Sequence, residues 1–266
     1  MTDPRDGWAA ALAYEAFMGR WSRRLAERFV SWLAIPADKA WLDVGCGTGA
    51  LTRAVCELAR PDAVVGCDPA APFVRHARSH HRDPRATYVV AGVDGLPRRP
   101  GGFDSVASLL ALNFFPDAEA ALCAMRSVTA PGGTISACVW DYADGMAFLR
   151  CFWDAAAALD ERARERDEGL RFPLCRRDAL AALFHGGGLA EVRCEAIEIP
   201  TVFASFDDLW RPLLGGTGPA PAYLASLDAE RRARLAASLE ASLPRAPDGT
   251  IALAARAWAV RGTREA

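Results

Sequence analysis

The sequence predicts an α/β protein built on a doubly wound, mostly parallel sheet of seven strands, with a helical cap. Three observations carry that expectation. Short apolar runs of strand length alternate with stretches of helical periodicity, and a glycine-rich turn joins the first such strand to its helix. The chain has 266 residues, of which 52% are hydrophobic and 24% charged. A chain this long buries roughly 70–75% of the surface its unfolded form exposes, so its core needs no disulfide or metal staples. One domain spanning 1–266 fits best.

From Gly7 to Leu33 the residues Tyr14, Met18, Trp21, Leu25 and Trp32 recur at three- and four-residue steps, the period of a helix with one buried face. This segment, about 7–35, reads as a helical lid. Lys39–Val44 is the first strand, Gly45–Gly49 the glycine turn, and Ala50–Arg60 a helix closed by Pro61. Strand patterns follow at Ala63–Asp68, Ala86–Val93, Phe103–Leu110 and Gly133–Trp140, separated by helices at Ala71–His80 and Asp117–Val128. The core therefore runs over about 36–141.

Beyond it the rhythm changes. Helices are expected near Ala147–Arg166, Arg177–His185, Phe206–Leu214 and Ala220–Leu243, and strands at Ala190–Pro200 and Thr250–Val260. The extra helices, in insertions of about 142–189 and 203–248, read as a cap over the ligand edge of the sheet. Gly215-Gly216-Thr217-Gly218-Pro219 is the flexible joint.

Composition excludes several classes. With 31 Lys+Arg against 33 Asp+Glu and no basic run, the chain lacks the clustered positive charge that nucleic-acid binding requires. No window approaches the roughly 18–20 apolar residues of a membrane span, and Met1–Asp6 has no signal-peptide pattern, so no membrane partner and a cytoplasmic location are expected. The eight cysteines form no C-x-x-C pair and no His stands at ligand spacing, so no metal site and no disulfide framework is expected. Oligomeric state is left open.

In an open parallel sheet the ligand lies outside the carboxyl ends of the strands, where the strand order reverses. Gly45, Gly47 and Gly49 let a ligand approach the backbone there, ahead of a helix N-terminus. Gly45-Cys46-Gly47-Thr48-Gly49-Ala50 also satisfies the dinucleotide fingerprint, and Asp68 stands where either cofactor class would present ribose hydroxyls. Three features argue against a nicotinamide-dependent oxidoreductase: Asp43 brings negative charge where a pyrophosphate gains nothing from it, the spacing is G-x-G-x-G, and Pro131-Gly132-Gly133 precedes the fifth strand.

Leu42-Asp43-Val44-Gly45-Cys46-Gly47-Thr48-Gly49, Asp68, Leu96-Pro97, Phe103-Asp104 and Pro131-Gly132-Gly133 together resemble the class I S-adenosylmethionine-dependent methyltransferases, in the branch of ubiquinone- and menaquinone-biosynthesis-like small-molecule enzymes. Tyr14–Ser22 resembles the N-terminal helix of that branch. The resemblance is strong over about residues 14–141 and weak over the cap. It implies a Rossmann-like methyltransferase fold, S-adenosyl-L-methionine as cofactor, and a place in bacterial secondary or cofactor metabolism. It also covers relatives that use the same cofactor for a ring closure or another non-methylating rearrangement.

Carried onto this chain, the resemblance sets Gly45, Cys46, Gly47 and Gly49 against the methionyl end of the cofactor, with Asp43 near its ammonium group. Asp68 would take both ribose hydroxyls. Pro69 and Ala70 would pack on adenine, and Tyr14 and Arg20 would close over the site, Arg20 toward the methionyl carboxylate. One departure stands out: where the family carries an Asp for the adenine amino group, this chain has Gly92. Asp94 replaces it only if the loop turns inward; the backbone N–H of Val93 offers another contact.

Because a sulfonium methyl is already activated, the protein must chiefly align an acceptor and exclude water. Asp141, Tyr142 and His185 are the candidate bases; His76, His80 and His81 are expected to face solvent. Phe17, Trp21, Asn113, Phe115, Trp140 and Trp210 are the candidate acceptor pocket, joined by Phe114, Trp153 and Phe203, which favours a small hydrophobic or aromatic substrate.

Overall fold

The computed structural model describes residues 11–215 and 218–265. Residues 7–10 of the expected lid, and Gly216 and Thr217 of the expected joint, lie outside the described residues. The elements are α1 (Ala11–Tyr14), a π-helical turn (Glu15–Gly19), α2 (Arg20–Leu33), β1 (Ala40–Val44), α3 (Ala50–Leu58), β2 (Ala63–Asp68), α4 (Ala71–His80), β3 (Ala86–Val90), β4 (Phe103–Leu109), α5 (Ala118–Val128) and β5 (Thr129–Trp140). There follow α6 (Ala147–Leu159), α7 (Glu168–Arg171), α8 (Arg177–Gly186), β6 (Ala190–Phe203), α9 (Phe206–Leu213), α10 (Pro219–Ser226), α11 (Ala229–Ser242) and β7 (Ile251–Thr263).

The seven strands lie in the order β3-β2-β1-β4-β5-β7-β6. Pairing is parallel from β3 across to β5, and β7 runs antiparallel to both of its neighbours. β1 is buried along its whole length, as a central parallel strand covered on both faces must be. β6, at the opposite edge, alternates buried and open positions from Ala196 onward.

Right-handed crossovers place α3 and α4, which carry the chain outward from β1 to β3, on one face, and α5, which carries it the other way, on the other. α2 packs on α3 and so joins the first layer; α8 packs on β6, β7 and α5 and joins the second. The sequence reading counted α8 in the cap. It belongs to the layer covering the sheet. Among the described residues no helix is long and apolar enough to cross a membrane.

Two expected helices are each broken, and in both cases an aspartate breaks them. Asp160 leaves the helical conformation and its carboxylate accepts the N–H of Arg162 at 3.1 Å, ending α6 at Leu159 and starting a separate 3₁₀ turn over Glu161–Arg166. Asp228 does the same for Arg231 at 2.8 Å, which divides the stretch expected over 220–243 into α10 and α11. Both are N-caps, where a short carboxylate satisfies donors that the helix itself cannot.

The register of β1 sets Asp43 between Gly66 of β2 and Ala107 of β4. A Cβ added at Gly66 would lie 2.9 Å from Thr52 Oγ1 and from Tyr88 Cδ1, and 3.1 Å from Cys46 Cβ. Gly66→Ala is therefore expected to destabilise the protein by roughly 1–3 kcal/mol, an overpacking cost seen as a lower midpoint in urea denaturation with unchanged slope.

Candidate functional site

Strand order reverses between β1 and β4, and the turns that leave these two strands meet. Gly45, with φ of +75°, sits so close to the β4 turn that an added Cβ would fall 2.5 Å from Ala111 Cβ and 3.5 Å from the Phe115 ring. Leu110 takes the left-handed conformation at φ of +59° to send the chain across, its N–H donating to Cys138 O at 2.7 Å. A side chain other than glycine or asparagine adopts this conformation at a cost, and such costs collect at functional turns. Gly47, at φ of +52°, faces open space: nothing lies within 4 Å of the Cβ it lacks.

Two carboxylates anchor this turn. Asp43 is buried, and its Oδ2 accepts both the N–H of Thr52 (3.1 Å) and its hydroxyl (2.7 Å). Its Oδ1 is buried without a hydrogen-bond partner among the described residues. Burial pushes the Asp43 carboxyl up to about 7, the two bonds from Thr52 acting in the opposite sense. Asp68, at the end of β2, accepts the N–H of Gly47 at 3.0 Å on one oxygen and that of Ala70 at 2.8 Å on the other, and burial raises it as well. It thereby braces the glycine turn against the turn after β2, and each oxygen keeps a lone pair for a further donor.

The N-terminal segment reaches α4 and the glycine turn. Tyr14, in α1, places its ring edge-on to Phe73 of α4 at 6.0 Å and its hydroxyl 2.7 Å from Ser22 Oγ; burial pushes its phenol up to about 12. Glu15, in the π-helical turn, accepts from the Thr48 hydroxyl in the glycine turn and pairs with Arg23. Sequence reasoning did not single out Glu15, because a π turn shifts side chains off the 3.6-residue period. Arg20 is held elsewhere than the resemblance implies. Its guanidinium grips Asp208 of α9 at 2.9 and 3.0 Å and lies over Trp21 and Phe203, so it ties lid to cap and is not turned to the glycine loop.

Beside β3 the missing family carboxylate is not restored. Asp94 is exposed in the 3₁₀ turn Val93–Gly95, because that short turn carries it outward. Gly92 has an extended conformation any residue can adopt, and a Cβ there would meet only Pro69, at 3.8 Å. Pro69 is exposed; Ala70 and Val93 are partly buried.

The acceptor-side candidates divide. Asn113 and Phe115 stand on the β4 turn, and Asn113 Nδ2 is buried without a partner among the described residues. Phe17 and Trp21 are buried in an aromatic cluster: Phe17 meets Phe148 at 6.2 Å, Trp21 meets Phe203 at 5.3 Å, and Phe148 meets Phe203 at 5.7 Å. Trp140 is a core residue at the end of β5, and Trp210 stacks on Phe206 at 5.7 Å. The Phe17–Phe148 contact joins the π-helical turn to α6, and the Trp21–Phe203 contact joins α2 to the end of β6.

The candidate bases fare worse. Asp141 is buried, but Arg256 Nε and Nη2 donate to its Oδ2 at 2.8 and 2.7 Å and the N–H of Asp144 donates to its Oδ1 at 3.2 Å, so its carboxylate is committed to a structural ion pair. Tyr142 is buried against Phe172, ring centres 5.7 Å apart. His185 is exposed at the end of α8 that leads into Ala190; Ala190 pairs with Thr263, which also pairs with Thr134 near the start of β5. His185 therefore lies at the edge of the sheet opposite the glycine turn. His81 does not face solvent freely, since its Nδ1 lies 2.7 Å from the Tyr88 hydroxyl.

The donor set suits the cofactor the resemblance implies. An unpaired, buried carboxylate oxygen fits an ammonium group better than a pyrophosphate, and the bare face of Gly47 leaves room beside it.

Residues 42–133 match the methyltransferase domain family. The chain is 36% identical over 106 residues to a ubiquinone biosynthesis O-methyltransferase of Xanthomonas campestris pv. campestris, covering 39% of this chain and 43% of that one. It is 35% identical over 133 residues to a biotin biosynthesis bifunctional protein of Bordetella avium, covering 48% and 28%. The chain thus spans less than half the length of either relative. Its fold is similar to that of phosphoethanolamine N-methyltransferase 2 of Haemonchus contortus, solved with S-adenosyl-L-methionine, at a TM-score of 0.58 and 17% identity over 96% of this chain and 57% of that one. The glycine turn and both carboxylates lie inside the segment that matches the methyltransferase domain family.

Proposed function

We propose that the chain transfers the methyl group of S-adenosylmethionine to a small hydrophobic or aromatic acceptor. The observation that carries this reading is the orphaned Asp43 Oδ1, buried beside a glycine turn with an open face. Asp43 would hold the ammonium group. Asp68, already bonded to Gly47 and Ala70, would offer its remaining lone pairs to the ribose hydroxyls. Pro69, Ala70 and the Val93 N–H would flank adenine. Tyr14 and Glu15 would form the lid, with α6, α7 and α9–α11 as the cap.

The bound sulfonium supplies an activated methyl group. What this chain's own residues must do is align the acceptor and keep water away. The aromatic joint between lid and cap serves the second task. Phe115 and Asn113 serve the first, the free amide hydrogen of Asn113 being suited to an acceptor oxygen. Asp141 is spent on Arg256, so no base is assigned. The resemblance to a ubiquinone biosynthesis O-methyltransferase supports an oxygen acceptor on an apolar body.

Three measurements test the reading, each by calorimetric titration with S-adenosylhomocysteine. Asp68→Ala is expected to weaken binding by on the order of 1.5–3 kcal/mol, and unchanged affinity would overturn the site. Gly92→Asp restores a carboxylate where the backbone and the space admit one, and is expected to tighten binding roughly tenfold. An ammonium group favours ionised Asp43, whereas burial alone keeps it protonated below about 7. Affinity should therefore fall as pH drops below that value, by roughly tenfold per unit, and Asp43→Asn should bind weakly with a flat profile.

A further inference from the structure

A second cleft opens in the cap, away from the glycine turn. Its volume is about 410 Å³, and it lies among the carboxyl end of α6, the 3₁₀ turn Glu161–Arg166, α10 and α11. That volume falls within the roughly 300–1,000 Å³ usual for small-molecule sites. The other end of α6 carries Phe148, which meets Phe17 of the lid. At 1.5 Å per residue, the length of α6 sets the cleft about 16 Å from that contact. The two sites are separate.

Positive charge converges on the cleft from two elements. Arg162 comes from the 3₁₀ turn, Arg231 and Arg234 from α11. Arg231 is paired with Asp228 at 3.6 Å, but among the described residues Arg162 and Arg234 have no carboxylate within 4.0 Å. Asp160 also lines the cleft, with one oxygen already accepting the Arg162 N–H. The apolar side chains open to the cleft are Leu159, which is exposed, and Leu227, which is partly buried; beneath them lie the buried Leu235 and the ring of Tyr223, which rests on Trp153 at 5.6 Å. Three arginines against the single carboxylate of Asp160 leave the concavity net positive, which attracts an anion, and the planar donor fork suits a carboxylate, sulfonate or phosphate.

We propose that this cleft binds an amphipathic organic anion, its acidic head between Arg162 and Arg234 and its apolar body against Leu159 and Leu227. This inference does not depend on the methyl-transfer reading. Both arginines are exposed, so their removal leaves the packing of the cap intact.

The test uses the full chain and the dye 1-anilinonaphthalene-8-sulfonate, read by its fluorescence, with naphthalene-2-carboxylate and uncharged naphthalene-2-methanol as competitors. The carboxylate is expected to displace the dye and the alcohol to fail. Arg162→Ala/Arg234→Ala should weaken the dye about tenfold, with an unchanged near-ultraviolet circular dichroism spectrum as the check on folding. Raising the salt concentration should weaken the wild-type complex in the same direction. Equal dye affinity in the double variant, or equal competition by the alcohol, would overturn the proposal.

Discussion

A carboxylate buried at the carboxyl end of the central strand is the constraint around which the rest of the site is arranged. Asp43 has little access to water, and a carboxyl group in that position must be bonded, paired or protonated. Thr52 bonds one of its oxygens from the first helix of the sheet layer, which fixes where α3 starts relative to β1. Gly66 and Ala107, its neighbours across the register, are small, so room for the carboxylate comes from strand residues on both sides. The same Gly66 keeps Thr52 and Tyr88 in place. Strand, helix and glycine turn are thus mutually positioned by one acid whose second oxygen is left unpaired.

Asp68 plays the complementary role. Where Asp43 ties β1 to α3, Asp68 ties the turn after β1 to the turn after β2 through Gly47 and Ala70. The two acids differ in what they retain. Asp43 keeps an entire oxygen, which suits a cation. Asp68 keeps lone pairs beside bonds already made, which suits neutral hydroxyl donors. Glu15 adds a third link by reaching from the lid to Thr48. The lid therefore rests on the glycine turn itself, and the Arg20–Asp208 pair fastens its far side to α9.

Most of the sheet was legible because its strands are short apolar runs bounded by glycine and proline, and the parallel order follows from strands alternating with helices. β2 and α4 lie where the residues placed them, at Ala63–Asp68 and Ala71–His80. The broken helices were less legible, because Asp160 and Asp228 sit in continuous stretches of good helix formers and only the capping bonds reveal the breaks. The resemblance sets Arg20 over the site, whereas its partner is Asp208, and a contact across 188 positions leaves no local trace. His185 and Asp94 show the same limit. Each lies near a glycine that marks a turn, and the turn's direction in space decides whether the side chain meets the site.

The fate of Asp141 bears on the chemistry as much as on the fold. It follows β5 at the ligand edge, where a catalytic acid or base would be useful, yet two nitrogens of Arg256 of β7 converge on one of its oxygens. The backbone joins the same residues, with Asp141 N–H donating to Arg256 O at 3.0 Å and Arg256 N–H to Gly145 O at 2.9 Å. This double tether fastens the start of the cap to the antiparallel strand. A buried ion pair contributes little net stability when intact, but losing either partner leaves an uncompensated charge, so the pair serves position more than energy. In the proposed reaction the methyl donor is already activated, so a carboxylate at the ligand edge can serve to hold the segment after β5 against β7 and need not act as a base.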